Sequence, residues 1–229
     1  MSNARSGGVT RREVLVGAGS LAVASRAFGL ESPAAAPTSA KFDAAAFVDD
    51  CMRANDGTAS AQAAIRELLA RALADPAAVL AGVGEPQKGG LQALHRSAGL
   101  TILNIVWAPW MQLLPHDHNM WALIGIYTGR EDNIFWERRG SRVAATHATA
   151  IGRGDVIALP ADVIHSVANP IGKLTGAIHI YGGDFFAPGR TEWEPESLAP
   201  RTWSIQGAVR QFEESNERFF GPRAGSACS

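Results

Sequence analysis

The sequence predicts a mainly β protein: a jelly-roll barrel preceded by a helical N-terminal cap. Three observations carry this. Seven short apolar stretches lie between residues 100 and 181, punctuated by Gly, Pro, Asn and Asp, as strands of a closed or double-sheet architecture are. Residues 42–82 instead repeat apolar side chains at helical spacing. With 229 residues, 46% of them hydrophobic, the chain can bury one sizeable core and still carry extra segments.

Taken in order, residues 1–40 read as a leader and linker. Thr10-Arg11-Arg12-Glu13-Val14-Leu15 precedes an apolar, Gly/Ala-rich stretch from Val16 to Leu30 and then Glu-Ser-Pro-Ala-Ala-Ala-Pro. A charged start, a short apolar run and small residues make a signal peptide, and the twin arginine is the mark of a Tat signal. The apolar run is too short and Gly-rich for a membrane span. The expectation is export by the Tat machinery to the periplasm or beyond, with no stable membrane span in the mature form. An uncleaved anchor is one alternative, and a cytoplasmic protein with a non-functional leader is another.

Residues 41–90 read as the helical cap. Phe42, Ala46, Phe47 and Cys51 share one helix face, and Ile65, Leu68, Leu69 and Ala72 share another. Asp56-Gly57-Thr58 breaks the pattern between them, and Pro76 opens a third short helix. Residues 91–190 hold the strand-like runs, at 100–107, 121–127, 133–137, 144–150, 155–159, 164–168 and 175–181. Residues 191–229 are a polar C-terminal extension with a short helical patch over Val209–Phe220.

Charge and cysteine content narrow the function. The formal net charge is −1 with no long run of like charge, so no basic stripe marks a nucleic-acid binder. Without residues 1–40 it is −3, from 17 basic and 20 acidic side chains. Cys51 and Cys228 alone make neither a disulfide framework nor a zinc ribbon.

The chemistry lies in Pro115-His116-Asp117-His118. Residues two apart on a strand point to one face, so both imidazoles can enter a barrel together. Imidazole suits Fe, Zn, Cu and Ni. Further on, Gly154, Pro160, His165 and Asn169 follow the spacing G-x5-P-x-G-x2-H-x3-N, with Asp162 at the inner glycine. This pattern, with His116, His118 and Gly129 in the first motif, resembles the two motifs of the cupin family over residues 100–185. Trp110 replaces the first motif's leading glycine, and Ala122 stands in the slot of its glutamate ligand. The resemblance implies a cupin double-stranded β-helix with a metal on His116, His118 and His165 and no carboxylate ligand.

A three-His site resembles the cysteine dioxygenase-like cupins, the thiol dioxygenases. Trp107 lies in a strand similar to the one that precedes their first motif. Gly176-Ala177-Ile178-His179-Ile180-Tyr181 resembles their S-x-H-x-Y segment, with Ala177 for the serine. Without that serine, the outer nitrogen of His179 is expected to turn to water or backbone. Trp121-Ala122-Leu123 lacks the cysteine that cross-links to the tyrosine in the mammalian branch, so no cross-link is expected. Residues 115–136 follow PHDHxMWAxIGxYxGxExNxFW, which resembles a bacterial group of these proteins.

The resemblance implies one Fe(II) per chain, with zinc, manganese and nickel left open. It also implies O2 as co-substrate and a small thiol carboxylate, of the cysteine or 3-mercaptopropionate type, as substrate. Tyr181 and His179 become the catalytic pair. Arg96 is the expected carboxylate-binding cation, its planar guanidinium suiting bidentate contact; Arg130, Arg138 and Arg139 are alternatives. His95 and His147 have no partner pattern and are taken as structural or surface residues. Two rival classes remain: a metal-dependent cupin of another reaction, and a non-catalytic small-molecule binder.

Overall fold

Local chemistry starts each N-terminal helix. Asp43 accepts hydrogen bonds from the amides of Ala45 and Ala46 at 2.9 and 3.0 Å and caps α1 (Ala44–Ala54). Such a cap contributes about 1 kcal/mol. Helix α2 (Ala61–Ala72) follows, and α3 (Pro76–Val83) opens with Asp75 as cap and proline in its first turn. The computed structural model describes residues 41–58 and 60–221, so the leader expected over residues 1–40, and Cys228, lie outside the described residues. The described residues belong to one compact unit, within which the cap, barrel and extension are packed together. Among the described residues no helix is long and apolar enough to cross a membrane.

Two antiparallel sheets follow. The first has the order β1 (Gly90–Arg96), β2 (Thr101–Trp107), β9 (Thr175–Tyr181), β4 (Ala122–Thr128), β7 (Val156–Leu159). The second runs β11 (Pro200–Thr202), β10 (Thr191–Trp193), β3 (Gln112–Asp117), β8 (Ile164–Ala168), β5 (Arg130–Arg139), β6 (Arg142–Gly152). From β2 to β5 and again from β6 to β9 the chain alternates between the sheets. This winding is the jelly-roll, or double-stranded β-helix, expected from the sequence. All seven expected strands form. The additions are β1, β3, β10 and β11.

Burial explains why β2 and β9 read as continuous apolar runs rather than alternating ones. Both are covered on their two faces. Inward-facing Leu103, Ile105, Ala122, Ile124, Ala177 and Tyr181 join the core between the sheets. Outward-facing Ile102, Leu123, Ile178 and Ile180 instead meet Phe47, Cys51, Ile65, Leu69 and Val79 of the helical cap. Gln62 pins α2 to the sheet through the carbonyls of Leu159 and Ala122, at 3.2 and 3.4 Å.

The motif positions have distinct structural jobs. Gly129 has φ +82°, and a Cβ there would lie 2.8 Å from Thr175 Cα, so both backbone and space demand glycine. Trp110, in the slot of the motif's leading glycine, keeps a left-handed φ of 60°. Asp162 is not among the positive-φ residues, which is why the other missing glycine is tolerated. Asn169 is a clamp: its amide nitrogen reaches the carbonyls of Lys173, Ala108 and Trp107, and its oxygen meets Ile171 N and Thr175 Oγ1.

The C-terminal extension completes the barrel. Helix α4 (Ile205–Phe220), capped by Ser204, is longer than the patch expected at Val209–Phe220. Its Ala208 and Phe212 enter the core between the sheets, where Phe212 stacks on Trp107 with ring centroids 5.3 Å apart.

Candidate metal centre

His116 and His165 sit opposite one another in the β3–β8 ladder. His118, one residue beyond β3, returns to the side of His116. All three are buried, and their Nε2 atoms converge: 3.0 Å between His116 and His118, 3.2 Å between His165 and His118. Hydrogen bonds on the far side of two rings define what these nitrogens are. His116 Nδ1 donates to the Leu114 carbonyl at 2.8 Å, and His165 Nδ1 to Asn133 Oδ1 at 2.7 Å. In neutral rings, both Nε2 atoms are then bare lone pairs aimed at one point.

His118 Nδ1 has no partner, so His118 Nε2 donates to its neighbours in the absence of a cation and, as the other tautomer, offers a cation the third lone pair. Separations of 3.0 and 3.2 Å are short enough for His118 to share one ion with each of its neighbours at metal–nitrogen bonds of about 2.1 Å. The donor set therefore fits a divalent transition metal. Electrostatics agrees. Burial lowers the pKa of His116 from 6.5 to about 3, with the Arg190 cation adding to the effect and the bond to Leu114 opposing it. Burial, then neighbouring imidazoles, holds His118 and His165 well below the usual value. Neutral imidazole is the ligating form. Among the described residues no carboxylate joins the cluster: Ala122, in the glutamate slot, is fully buried and pairs with Tyr181 across the β4–β9 ladder.

Beside the cluster, His179 Nδ1 lies 3.2 Å from the Tyr181 hydroxyl, and the Tyr181 ring packs edge-on against His118 at 5.1 Å between centroids. The i, i+2 spacing on β9 delivers both side chains inward, as expected. Burial pushes the Tyr181 phenol pKa upward, so its proton stays on at neutral pH. The outer nitrogen of His179, expected to meet water or backbone, has no hydrogen-bond partner among the described residues. His179 Nε2 faces Glu131 Oε2 at 3.5 Å, both side chains buried.

Arg96 is placed elsewhere. It forms a bidentate ion pair with Asp184 at 2.8 and 2.9 Å, half exposed, on the outer end of β1. Arg130 pairs with Asp132, Arg138 with Asp117, and Arg139 with Glu137. None of the four lines the metal cavity. The cation that does is Arg190, 4% exposed. Its Nε donates to Asp117 O at 2.9 Å and its Nη1 to Phe185 O at 3.0 Å, while Nη2 has no partner. The guanidinium lies over Trp203, 3.8 Å from the ring centroid. Burial draws its pKa down to about 10, so it stays charged at neutral pH.

The cavity is small, about 20 Å³, and is walled by Trp107, Phe185, Trp203 and Phe212 as well as the polar groups. An open groove of about 610 Å³ lies elsewhere, around Leu114, Arg130, Ile134 and Trp136, and contains none of the three histidines. His95 is half-buried, and His147 is exposed and stacked on Phe135; neither joins the cluster.

Sequence reasoning missed Glu131, Asn133 and Arg190. The first two had a signal: they alternate in Gly129-Arg130-Glu131-Asp132-Asn133, so period two puts both on one strand face. Arg190, in a loop before β10, had none.

No protein-family model matches the chain. Among solved structures it is similar to an RmlC-like cupin family protein with a double-stranded β-helix fold from Methanocaldococcus jannaschii, at 13% identity and TM-score 0.38 over 44% of this chain and 85% of that one. A cupin superfamily protein from Desulfitobacterium hafniense matches at 20% identity and TM-score 0.37 over 46% and 88%. The DMSP lyase DddQ from Ruegeria pomeroyi matches at 15% identity and TM-score 0.38 over 48% of this chain and 54%, about half, of the lyase. At these identities and TM-scores, none of the three bears on what this chain does.

Proposed function

We propose that this chain is an iron(II)-dependent dioxygenase of a small thiol carboxylate, cysteine or 3-mercaptopropionate in type, in which R–SH and O2 give the sulfinic acid R–SO2H. The observation that carries the reading is the convergence of three neutral imidazole Nε2 atoms, with no carboxylate among them in the described residues, beside the Tyr181 ring. Three neutral ligands leave the full charge of a divalent ion for anionic partners. Iron(II) held by His116, His118 and His165 would favour the thiolate form of the substrate and supply open positions and electrons for O2 chemistry.

The chain's own residues do the rest. Arg190 replaces Arg96 as the carboxylate-binding residue of this reading, because it lines the cavity, its Nη2 is unpartnered and its other nitrogens are already tied to backbone. Tyr181, whose hydroxyl proton is held by His179 Nδ1, offers its hydroxyl oxygen as an acceptor at the cavity wall. Phe185, Trp203 and Phe212 wall a cavity that holds about one water, so a thiol carboxylate enters only as these side chains move aside.

The test is O2 consumption by iron-loaded protein with cysteine, 3-mercaptopropionate and related thiols. Thiol-dependent uptake with a sulfinate product, lost in His165→Ala, is the expected result. No uptake across the panel refutes the reaction. Zinc or manganese in protein from its native host would favour a different reaction at the same site. The Arg11-Arg12 leader supports a further proposal, that the folded protein is exported through the Tat route to the periplasm.

A further inference from the structure

One buried carboxylate connects the metal ligands to the Tyr181–His179 pair. Glu131 and Asn133 are both fully buried on β5. Glu131 Oε2 accepts from the indole Nε1 of Trp107 at 2.8 Å, and Oε1 accepts from Asn133 Nδ2 at 2.9 Å. Oε2 also faces His179 Nε2 at 3.5 Å. The far end of Asn133 meets the metal ligand, with Oδ1 2.7 Å from His165 Nδ1.

Donor and acceptor roles propagate along these contacts. An indole nitrogen only donates, and a carboxylate only accepts. Asn133 must therefore turn its NH2 to Glu131 and its oxygen to His165. That leaves His165 protonated on Nδ1 and bare on Nε2. On the other branch, His179 presents Nε2–H to the carboxylate, and its Nδ1 is left to accept from the Tyr181 hydroxyl.

We propose that Glu131 is a positioning residue that sets the tautomers of two histidines at once, Nδ1–H on His165 for metal binding and Nε2–H on His179 for holding Tyr181. The His165 branch rests on the metal reading above, and the His179 branch stands without it. A carboxylate is the residue type the site requires, because Trp107 and Asn133 donate to it and the unpartnered Nε2 of His179 faces it at 3.5 Å. A glutamine of the same shape has one acceptor oxygen and one NH2, so its NH2 must confront at least one of the three. Turned towards His179, it forces that ring to Nδ1–H. Turned towards Asn133, it flips that amide and deprives His165 of its acceptor.

The test uses the full chain, labelled with 15N-histidine and loaded with zinc as a diamagnetic probe. Long-range proton–nitrogen correlations read the ring tautomers, and chelator competition reads zinc affinity. The wild type is expected to show His179 protonated on Nε2 and His165 on Nδ1. Glu131→Gln is expected to move His179 to Nδ1–H or to weaken zinc roughly tenfold or more, as loss of a group behind a metal ligand does. A wild-type His179 protonated on Nδ1 overturns the proposal, and so does a folded E131Q protein with both tautomers kept and zinc affinity within twofold. If E131Q does not fold, the wild-type spectrum alone decides. Expected tautomers without thiol-dependent O2 uptake would refute the reaction above and leave the role of Glu131 standing. Failure of the wild type to bind zinc would sink the metal reading, with the His179 branch still read on the metal-free chain.

Discussion

Arg190→Met separates substrate recognition from scaffolding at the cavity. Stability comes first, because the guanidinium also bonds two carbonyls, Asp117 O and Phe185 O. Losing a donor costs each carbonyl about 1–3 kcal/mol. Burial, however, draws the arginine pKa from 12.5 to about 10, so removing the buried cation returns a desolvation cost of roughly 3 kcal/mol. Met is apolar, flexible and able to pack on Trp203 and Phe185. The opposing contributions nearly balance, leaving a net loss of about 0–3 kcal/mol, and the variant should fold.

Catalysis should respond differently. A charge-assisted hydrogen bond from Nη2 to a carboxylate is worth about 1.5–3 kcal/mol, or roughly 10- to 150-fold in kcat/KM. Oxygen uptake by iron-loaded protein should fall by that factor for 3-mercaptopropionate. For 2-mercaptoethylamine, a thiol of similar size without a carboxylate, it should change less than about threefold, a margin within ordinary context effects. Using the substrate as the second change removes any general loss of fold or metal from the comparison. Equal losses with both thiols, or none with either, would refute the assignment of Arg190.

Four other outcomes are expected. Tyr181→Phe removes the hydroxyl 3.2 Å from His179 Nδ1; zinc affinity should hold while thiol oxygenation drops at least about tenfold, and an unchanged rate would exclude the hydroxyl from the reaction. The metal-free chain should lose stability in mild acid: the three imidazoles stay neutral in the fold, their pKa values lying below 6.5, but take up protons when unfolded. Stability is then complete above pH 6.5 and lost as the pH falls towards about 3, with His116 alone contributing about 2 kcal/mol of the loss at pH 5, so the urea midpoint should be lower at pH 5 than at pH 7.5. Gly129→Ala should cost about 2–5 kcal/mol in urea unfolding, from its positive φ and the collision with Thr175; a loss below 1 kcal/mol would show that the turn can move. Replacing Arg11 and Arg12 by lysine should trap the protein in the cytoplasm on fractionation, and undiminished export would argue against the Tat route.

Much of the site was readable where it followed a local rule. His116 and His118 needed only the two-residue period of a strand, and His179 and Tyr181 obeyed the same rule on β9. Helix positions 42–82 were legible from apolar spacing, because one face of each helix must meet the first sheet. Strand β1 was harder. Gly90–Arg96 is half-exposed and mixed in polarity, so no apolar run announced it. Arg96 looked suitable because it precedes a site strand, but Asp184, far off in sequence, already holds it.

The barrel, its cap and the inward-facing histidines follow from local periodicity alone, since each depends on a few consecutive residues. Tertiary structure decided which arginine shares the metal cavity and which group stands behind His179. Arg190 enters because a loop before β10 folds back onto Asp117 and Trp203, and Glu131 reaches His179 from the opposite sheet. Both contacts depend on chain closure between distant segments, where charge, burial and partners are set by the packing of two sheets rather than by any neighbouring residue.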